Sequence, residues 1–227
     1  MSTLRPRADF DHDLRRLLDD VLLMGSMVEK AIAKSLDALK TRDLELSRQV
    51  VAEDDVVDSQ RFAIEERCVD LIAMQQPMAR DLRTLIAVLH ITNELERMGD
   101  YAEGISKISL MMGNDAPLKP LIDIPRMADR ARDMLRRSLD SLVNRDVLAA
   151  TQVCHDDDQV DALYDQVYRE LLIIMIQDPK TIQRATYLLW VAHDVERIAD
   201  RATNIAERVI FLVTGKMTEI NTQKNVR

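Results

Sequence analysis

Glycine and proline are scarce in this 227-residue chain, at five and six residues, and aromatic residues are fewer still than a sheet protein needs, with three Phe, four Tyr and one Trp. Sheets concentrate aromatic and β-branched residues and are punctuated by Gly and Pro, so the composition argues for long helices joined by short turns. Cysteine is nearly absent. Cys68 and Cys154 stand alone without CxxC or Cys/His spacing, which gives no support to a disulfide framework or a structural zinc site and points to a reducing compartment, the cytoplasm. No apolar run approaches the roughly 20 residues that cross a bilayer; the longest is Leu171 to Ile176. The opening MSTLRPRADFDHDLRRLLDD is interrupted by charge and does not read as a signal sequence, so any membrane link is expected to run through another protein. A surplus of positive charge is missing as well. The formal charge of −8 disfavours binding to nucleic acid, which rests on neutralising phosphates with Lys and Arg, and leaves proteins or cations as expected partners. A Gly-rich phosphate loop, a GxSxG motif and a nucleophile beside a base are all lacking, so no enzymatic chemistry is expected.

What the chain does contain is a repeat. SLDALKTRDLELSRQVVAEDDVVD, from Ser35 to Asp58, matches SLDSLVNRDVLAATQVCHDDDQVD, from Ser138 to Asp161, at half its positions with an offset of 103 residues. NELERMGDYAEGI from Asn93 then matches HDVERIADRATNI from His193 at an offset of 100, which asks only for a short indel in the intervening turn. A tandem duplication is the reading. Breaks at Lys40–Asp43 and Pro77 in the first half, and at Asn144–Asp146 and Pro179 in the second, divide each half into three helices. Short turns make neighbours antiparallel, so the expected fold is all-α: a tandem duplication of an antiparallel three-helix bundle. Residues 9–112 form the first bundle, 113–125 a proline-bearing linker, 126–215 the second bundle and 216–227 a flexible tail. Helices this long suggest a rod-shaped molecule, with Trp190, Leu188 and Leu189 anchoring the second core.

The chemistry lies in acids at helical spacing. Glu96 and Asp100, and likewise Glu196 and Asp200, are four residues apart and share one helix face, and by periodicity they point away from the stripe of Leu95, Ala102 and Ile105. Asp54, Asp58 and Glu65 flank the apolar stripe of the second helix, with Asp157, Asp161 and Tyr168 as counterparts and Asp165 nearby. Where second and third helices adjoin, these flanks border a common groove with the hard oxygen ligands that Mg²⁺, Mn²⁺ or iron prefer, and His193 offers a nitrogen in the second half only. The plainer reading is that the acids are solvated, answered by Arg97 and Arg197 in ordinary surface ion pairs. A metal-free helical adaptor therefore stays open. A ferritin-like metal-carboxylate oxidase fits less well, since His193 precedes its Glu and has no counterpart in the first half.

The two E-R-[M/I]-x-D-x-A-x-x-I blocks, Glu96 to Ile105 and Glu196 to Ile205, each on the last helix of a repeated unit, resemble the E/D-x-x-x-D motif of the PhoU family. The likeness covers nearly the whole chain and includes the D-D-x-V-D block of each middle helix. It implies a non-enzymatic regulator of phosphate uptake that works by contact with the ATPase subunit of a phosphate ABC transporter and with a PhoR-type sensor histidine kinase, keeping phosphate-starvation genes off when phosphate is plentiful. It further implies a homodimer, and metal ions (Mg, Mn, Fe or Zn) at the acidic motifs. The ligand role passes to Glu96, Asp100, Glu196 and Asp200, and from the middle helices to Asp54, Asp58, Asp157 and Asp161. Asn93 and Glu103 answer to His193 and Thr203, so equal occupancy of the two halves is not implied.

Overall fold

The structure, a computed structural model, describes residues 5–217. These residues build six long helices: α1 (Arg5–Thr41), α2 (Leu44–Gln75), α3 (Arg80–Met112), α4 (Asp123–Asn144), α5 (Val147–Gln177) and α6 (Ile182–Thr214), the last entered through a 3-10 turn at Pro179–Thr181. The repeat is visible in the turns. Asp43 and Asp146 cap α2 and α5 with their carboxylates, accepting from Leu46 N and from Leu148 and Ala149 N respectively. The residues just before these caps, Arg42 and Arg145, close α1 and α4 in the left-handed region at φ 59° and 53°.

Pro77 falls in the turn between α2 and α3, and Pro179 opens the 3-10 turn before α6. The connection between the halves is shorter than the proline pattern suggests. α4 begins at Asp123, so Pro125 lies inside its first turn, where a missing N–H leaves no intrahelical bond unmade. Most of the anticipated tail, residues 218–227, lies outside the described residues.

Each half is a three-helix bundle, and the two fuse. α3 packs against α1, α2 and α6, while α6 packs against α3, α4 and α5; α1 also meets α4. Across the seam each helix thus faces its own repeat equivalent. Glu94 on α3 accepts from Arg201 Nη1 and Asn204 Nδ2 on α6, both at 3.1 Å, and the equivalent Asp194 on α6 lies against Gly104 on α3. The apolar side chains of both halves form one continuous core, with Leu17, Met24, Ile91, Leu95, Met98, Met127 and Met134 fully enclosed. Two separate units strung along a rod would leave the seam in water; burying it at roughly 25 cal/mol per Å² of apolar surface favours the side-by-side arrangement.

The second core differs from expectation at one large residue. Leu188 is buried and Leu189 partly so, but Trp190 is 48% exposed and packs its ring against Tyr187, at 5.8 Å between centroids, on the outer surface. The two outer helices are tied to their neighbours by a repeated ion pair: Lys34 to Glu53 at 2.7 Å between α1 and α2, and Arg137 to Asp156 at 2.5 Å between α4 and α5.

Where α1 meets α4, Gly25 leaves no room for a Cβ against the Leu139 side chain. Gly25→Ala gains about 1 kcal/mol of helix propensity yet forces Leu139 to move, an overpacking cost of about 1–3 kcal/mol. Chemical denaturation is expected to show a lower midpoint for Gly25→Ala with an unchanged slope; a raised midpoint would mean that the α1–α4 seam is looser than described.

Candidate functional site

α3 and α6 carry the site because each is packed on several sides at once. Besides the apolar stripe, small residues at heptad spacing run along both helices: Thr92, Gly99 and Ser106 on α3, and Ala192, Ala199 and Ala206 on α6, all buried. Gly99 marks which neighbour this seam faces. A Cβ there would sit 3.2 Å from Asp54 Oδ1 and 3.4 Å from Val57 Cγ1, both on α2. Small side chains let α2 and α3 approach, and the approach brings their acids into one groove.

The sequence expectation placed these acids on outward arcs. The structure corrects this. The side chains of Glu96, Glu196 and Asp200 are only 19%, 17% and 17% exposed, and of the four acids on those arcs Asp100 is the one that reaches solvent. Periodicity measured the angle from a single apolar stripe, but the third helix is flanked by a neighbour on either side of that stripe, so an arc turned away from one neighbour borders the next.

In the first groove Asp54, Asp58, Glu96, Asp100 and Glu103 come within electrostatic reach of one another. Asp54 is pushed up to about 6, chiefly by burial and then by the charges of Glu103, Asp100 and Asp58. Burial, followed by repulsion from Asp58 and Glu103, also raises Asp100. Glu96 is raised by burial and by Asp100, with Arg61 working in the opposite direction. Cations from both helices answer this cluster. Arg61 reaches across from α2, its Nη1 3.2 Å from Glu65 Oε1 and its Nε 3.7 Å from Glu96 Oε1, and Lys107 pairs with Glu103 at 2.6 Å. Arg97 is exposed and, as expected, answers Glu96, and also Asp100, through its charge.

The second groove has the same acids and different company. Arg197 does answer its helix neighbours, with Nη1 3.1 Å from Asp200 Oδ2 and Nε 3.8 Å from Glu196 Oε2, and His193 Nδ1 lies 3.8 Å from the same Glu196 oxygen. Burial and the Arg197 charge hold the His193 imidazole below its ordinary range, which favours the neutral form that ligates metals. Tyr164 occupies the place of Arg61, its ring 6.2 Å from that of His193 and its phenol raised by burial and by the nearby Glu196. Asp157 and Asp161 stand one turn apart on α5, the first buried and the second half-buried. Lys107 is likewise replaced, by Glu207.

Sequence reasoning missed Arg61 and Tyr164. The signal was available, since the offset of 103 sets one directly over the other, but attention to matching positions passes over those that differ. The two cysteines are buried and outside any disulfide, and burial pushes each thiol up to about 12, so neither is a reactive group.

Among the described residues no group of three or more His, Cys, Asp or Glu side chains converges closely enough to hold a metal ion. In the first groove the Arg61 guanidinium lies between Glu65 and Glu96. The second groove offers hard oxygen donors and an imidazole, and Tyr164 stands on α5 at the position of Arg61. That donor set suits a metal ion that draws the side chains together.

Six helices in two fused bundles, with an acidic groove repeated in each, define a duplicated helical-bundle protein. Known proteins give that class a family. The family profile described as the PhoU domain matches twice, over residues 21–109 and 124–209. A phosphate-specific transport system accessory protein PhoU homolog of Clostridium acetobutylicum is 38% identical over 216 residues, 95% of this chain and 99% of its own length. The homolog of Aquifex aeolicus is 39% identical over 91% of this chain and 94% of its own. Among solved structures, PhoU from Pseudomonas aeruginosa superposes with a TM-score of 0.87 at 32% identity, covering 91% of this chain and 100% of that one. The phosphate transport system regulatory protein PhoU from Streptococcus pneumoniae gives 0.86 at 29% identity, over 92% and 99%. The chain belongs to the PhoU family of phosphate-transport accessory proteins and, like that family, is non-catalytic.

Keeping Asp54 ionised in the first groove costs stability at neutral pH. With its pKa raised from 3.8 to about 6, that cost is absent below about pH 4 and complete above about pH 6. Asp54→Asn, melted in chelator-treated buffer, is expected to be about 1 kcal/mol more stable than the parent at about pH 7.5, after allowance for solvent screening, with the gain vanishing towards about pH 4. A gain independent of pH would point to packing instead of charge.

Proposed function

We propose that this protein is a cytoplasmic, contact-operated negative regulator of phosphate uptake and phosphate-starvation signalling. It docks on the ATPase subunit of a phosphate ABC transporter and on a sensor histidine kinase, as a homodimer, with its acidic grooves facing the partners. The observation that carries the reading is the acidic groove itself, built twice from the same residues: Asp54, Asp58, Glu96 and Asp100, and Asp157, Asp161, Glu196 and Asp200. Like charges gathered on half-buried faces oppose folding, and an acid set repeated in both halves makes sense for a surface that meets a cation or a basic partner. The relatives' shared description as phosphate-specific transport system accessory proteins supplies the pathway. Among the described residues no helix is long and apolar enough to cross a membrane, which fits attachment through the transporter.

Metal ions belong to the same reading. Glu196, Asp200, Asp157 and Asp161, with His193, would hold an ion such as Mg²⁺, Mn²⁺ or iron in the second groove, where it would supply positive charge between a carboxylate face and an acidic partner group. A metal-free adaptor is favoured by one observation: Arg197 already sits beside Glu196 and Asp200.

The charge-reversal pair Glu196→Lys and Asp200→Lys, in the full chain, tests the docking surface against the purified ATPase subunit and kinase. Binding to at least one of them is expected to weaken by about tenfold or more, since close charge pairs at interfaces couple by about 1.5 kcal/mol upwards, while circular dichroism stays helical. Unchanged affinity for both partners contradicts the reading. The neutral pair Glu196→Gln and Asp200→Asn makes the same comparison if reversal disturbs the fold.

A further inference from the structure

The two grooves share an origin but not a charge balance, and one residue accounts for most of the difference. We propose that Arg61 is a tethered counter-ion that stands where an external cation would, so that the first groove is filled from within and takes no metal.

Several features of Arg61 distinguish it from an ordinary surface arginine. It comes from α2 yet answers an acid on α3, spanning the groove, whereas the ion pairs of Arg197 are with Glu196 and Asp200 on its own helix. Its side chain is 21% exposed, against 41% for Arg197. The guanidinium is also held from below, 4.4 Å over the ring of Phe62, and bonded to Glu65 at 3.2 Å. Each contact desolvates the charge and fixes its position, and a fixed, poorly hydrated guanidinium beside carboxylates is what a divalent cation would have to displace. The pair of Arg197 with Asp200, on a more exposed helix face, yields more easily.

The counterparts in the other half complete the argument. At the offset of 103, Arg61 becomes Tyr164, Glu65 becomes Tyr168 and Phe62 becomes Asp165, so guanidinium, clamp and platform are exchanged together. At the offset of 100, the Glu103–Lys107 pair becomes Thr203 and Glu207. The first groove thereby has Arg61 reaching across it and Lys107 paired along α3, and the matching positions of the second hold Tyr164 and Glu207. The inference rests on the reading that these repeated acids are the protein's cation-facing surface, and it divides the labour between the halves: one groove is a fixed strut, the other an adjustable site.

Equilibrium dialysis of the full chain against Mn²⁺, read by elemental mass spectrometry, tests this with four variants whose helicity is checked by circular dichroism. Arg61→Tyr installs the residue of the second half. It is expected to bind about one more Mn²⁺ per chain than the parent, or to bind at least about tenfold more tightly, and to lose that gain when Asp54→Asn and Asp58→Asn are added. Arg61→Lys, which keeps the charge, is expected to gain less. In the parent, Asp54→Asn with Asp58→Asn should leave Mn²⁺ uptake unchanged. Should Arg61→Tyr perturb the fold, Arg61→Gln removes the charge with less bulk. No gain on removing Arg61, or parental Mn²⁺ uptake that depends on Asp54 and Asp58, overturns the inference. If the parent takes no Mn²⁺ at all while Arg61→Tyr gains an Asp54-dependent site, the counter-ion role stands and the metal part of the functional reading falls.

Discussion

The structure depends on the enclosure of the third helix of each repeat. α3 and α6 are packed by neighbours on several sides and against each other, so that a single pair of helices serves as the spine of both halves. Enclosure of that kind demands small residues at heptad spacing, and Gly99 shows how tight the fit is, with Asp54 of α2 directly over it. The same enclosure leaves the helix's acids no fully solvated arc. They come to rest at the borders between helices, where burial raises Asp54, Glu96 and Asp100 and each carboxylate feels the others. Packing and electrostatics are therefore one constraint: the contacts that make the fold stable are those that concentrate negative charge.

Duplication allows that constraint to be met in two ways. The first half sets cations beside its groove, Arg61 across the helices and Lys107 along one. The second half has given up both cations at the matching positions, and Tyr164, His193 and Glu207 stand in and around its groove instead. The seam between the halves has diverged in the same manner. Glu94 is satisfied by Arg201 and Asn204, while its equivalent Asp194 faces Gly104 and is pushed up to about 6 by burial. The backbone two-fold is close, and the charges laid upon it are not.

The sequence made the fold legible because turn chemistry and repeat coincide. Asp43 and Asp146 cap where the repeat says they should, prolines flank the entries to α3 and α6, and the all-α expectation and family likeness hold. Burial of the acids was not legible. A helical wheel tells which residues share a face, and how many neighbours enclose the helix is a tertiary fact; with α6 behind α3 as well as α2 beside it, the expected outward arc became a groove wall. Trp190 misled in the opposite sense, since a large aromatic residue beside Leu188 reads as core although it lies a half-turn round on the solvent side. Arg61 was overlooked because a repeat invites comparison of what is the same, and the difference in charge between the halves resides in what is not.

The most direct test of two like-built but unlike-charged grooves is anomalous diffraction from crystals of the full chain soaked in Mn²⁺. The account predicts a manganese peak between α5 and α6, beside Glu196 and Asp200, and none between α2 and α3. A peak beside Glu96 and Asp100 with Arg61 displaced, equal in strength to the other, would contradict it.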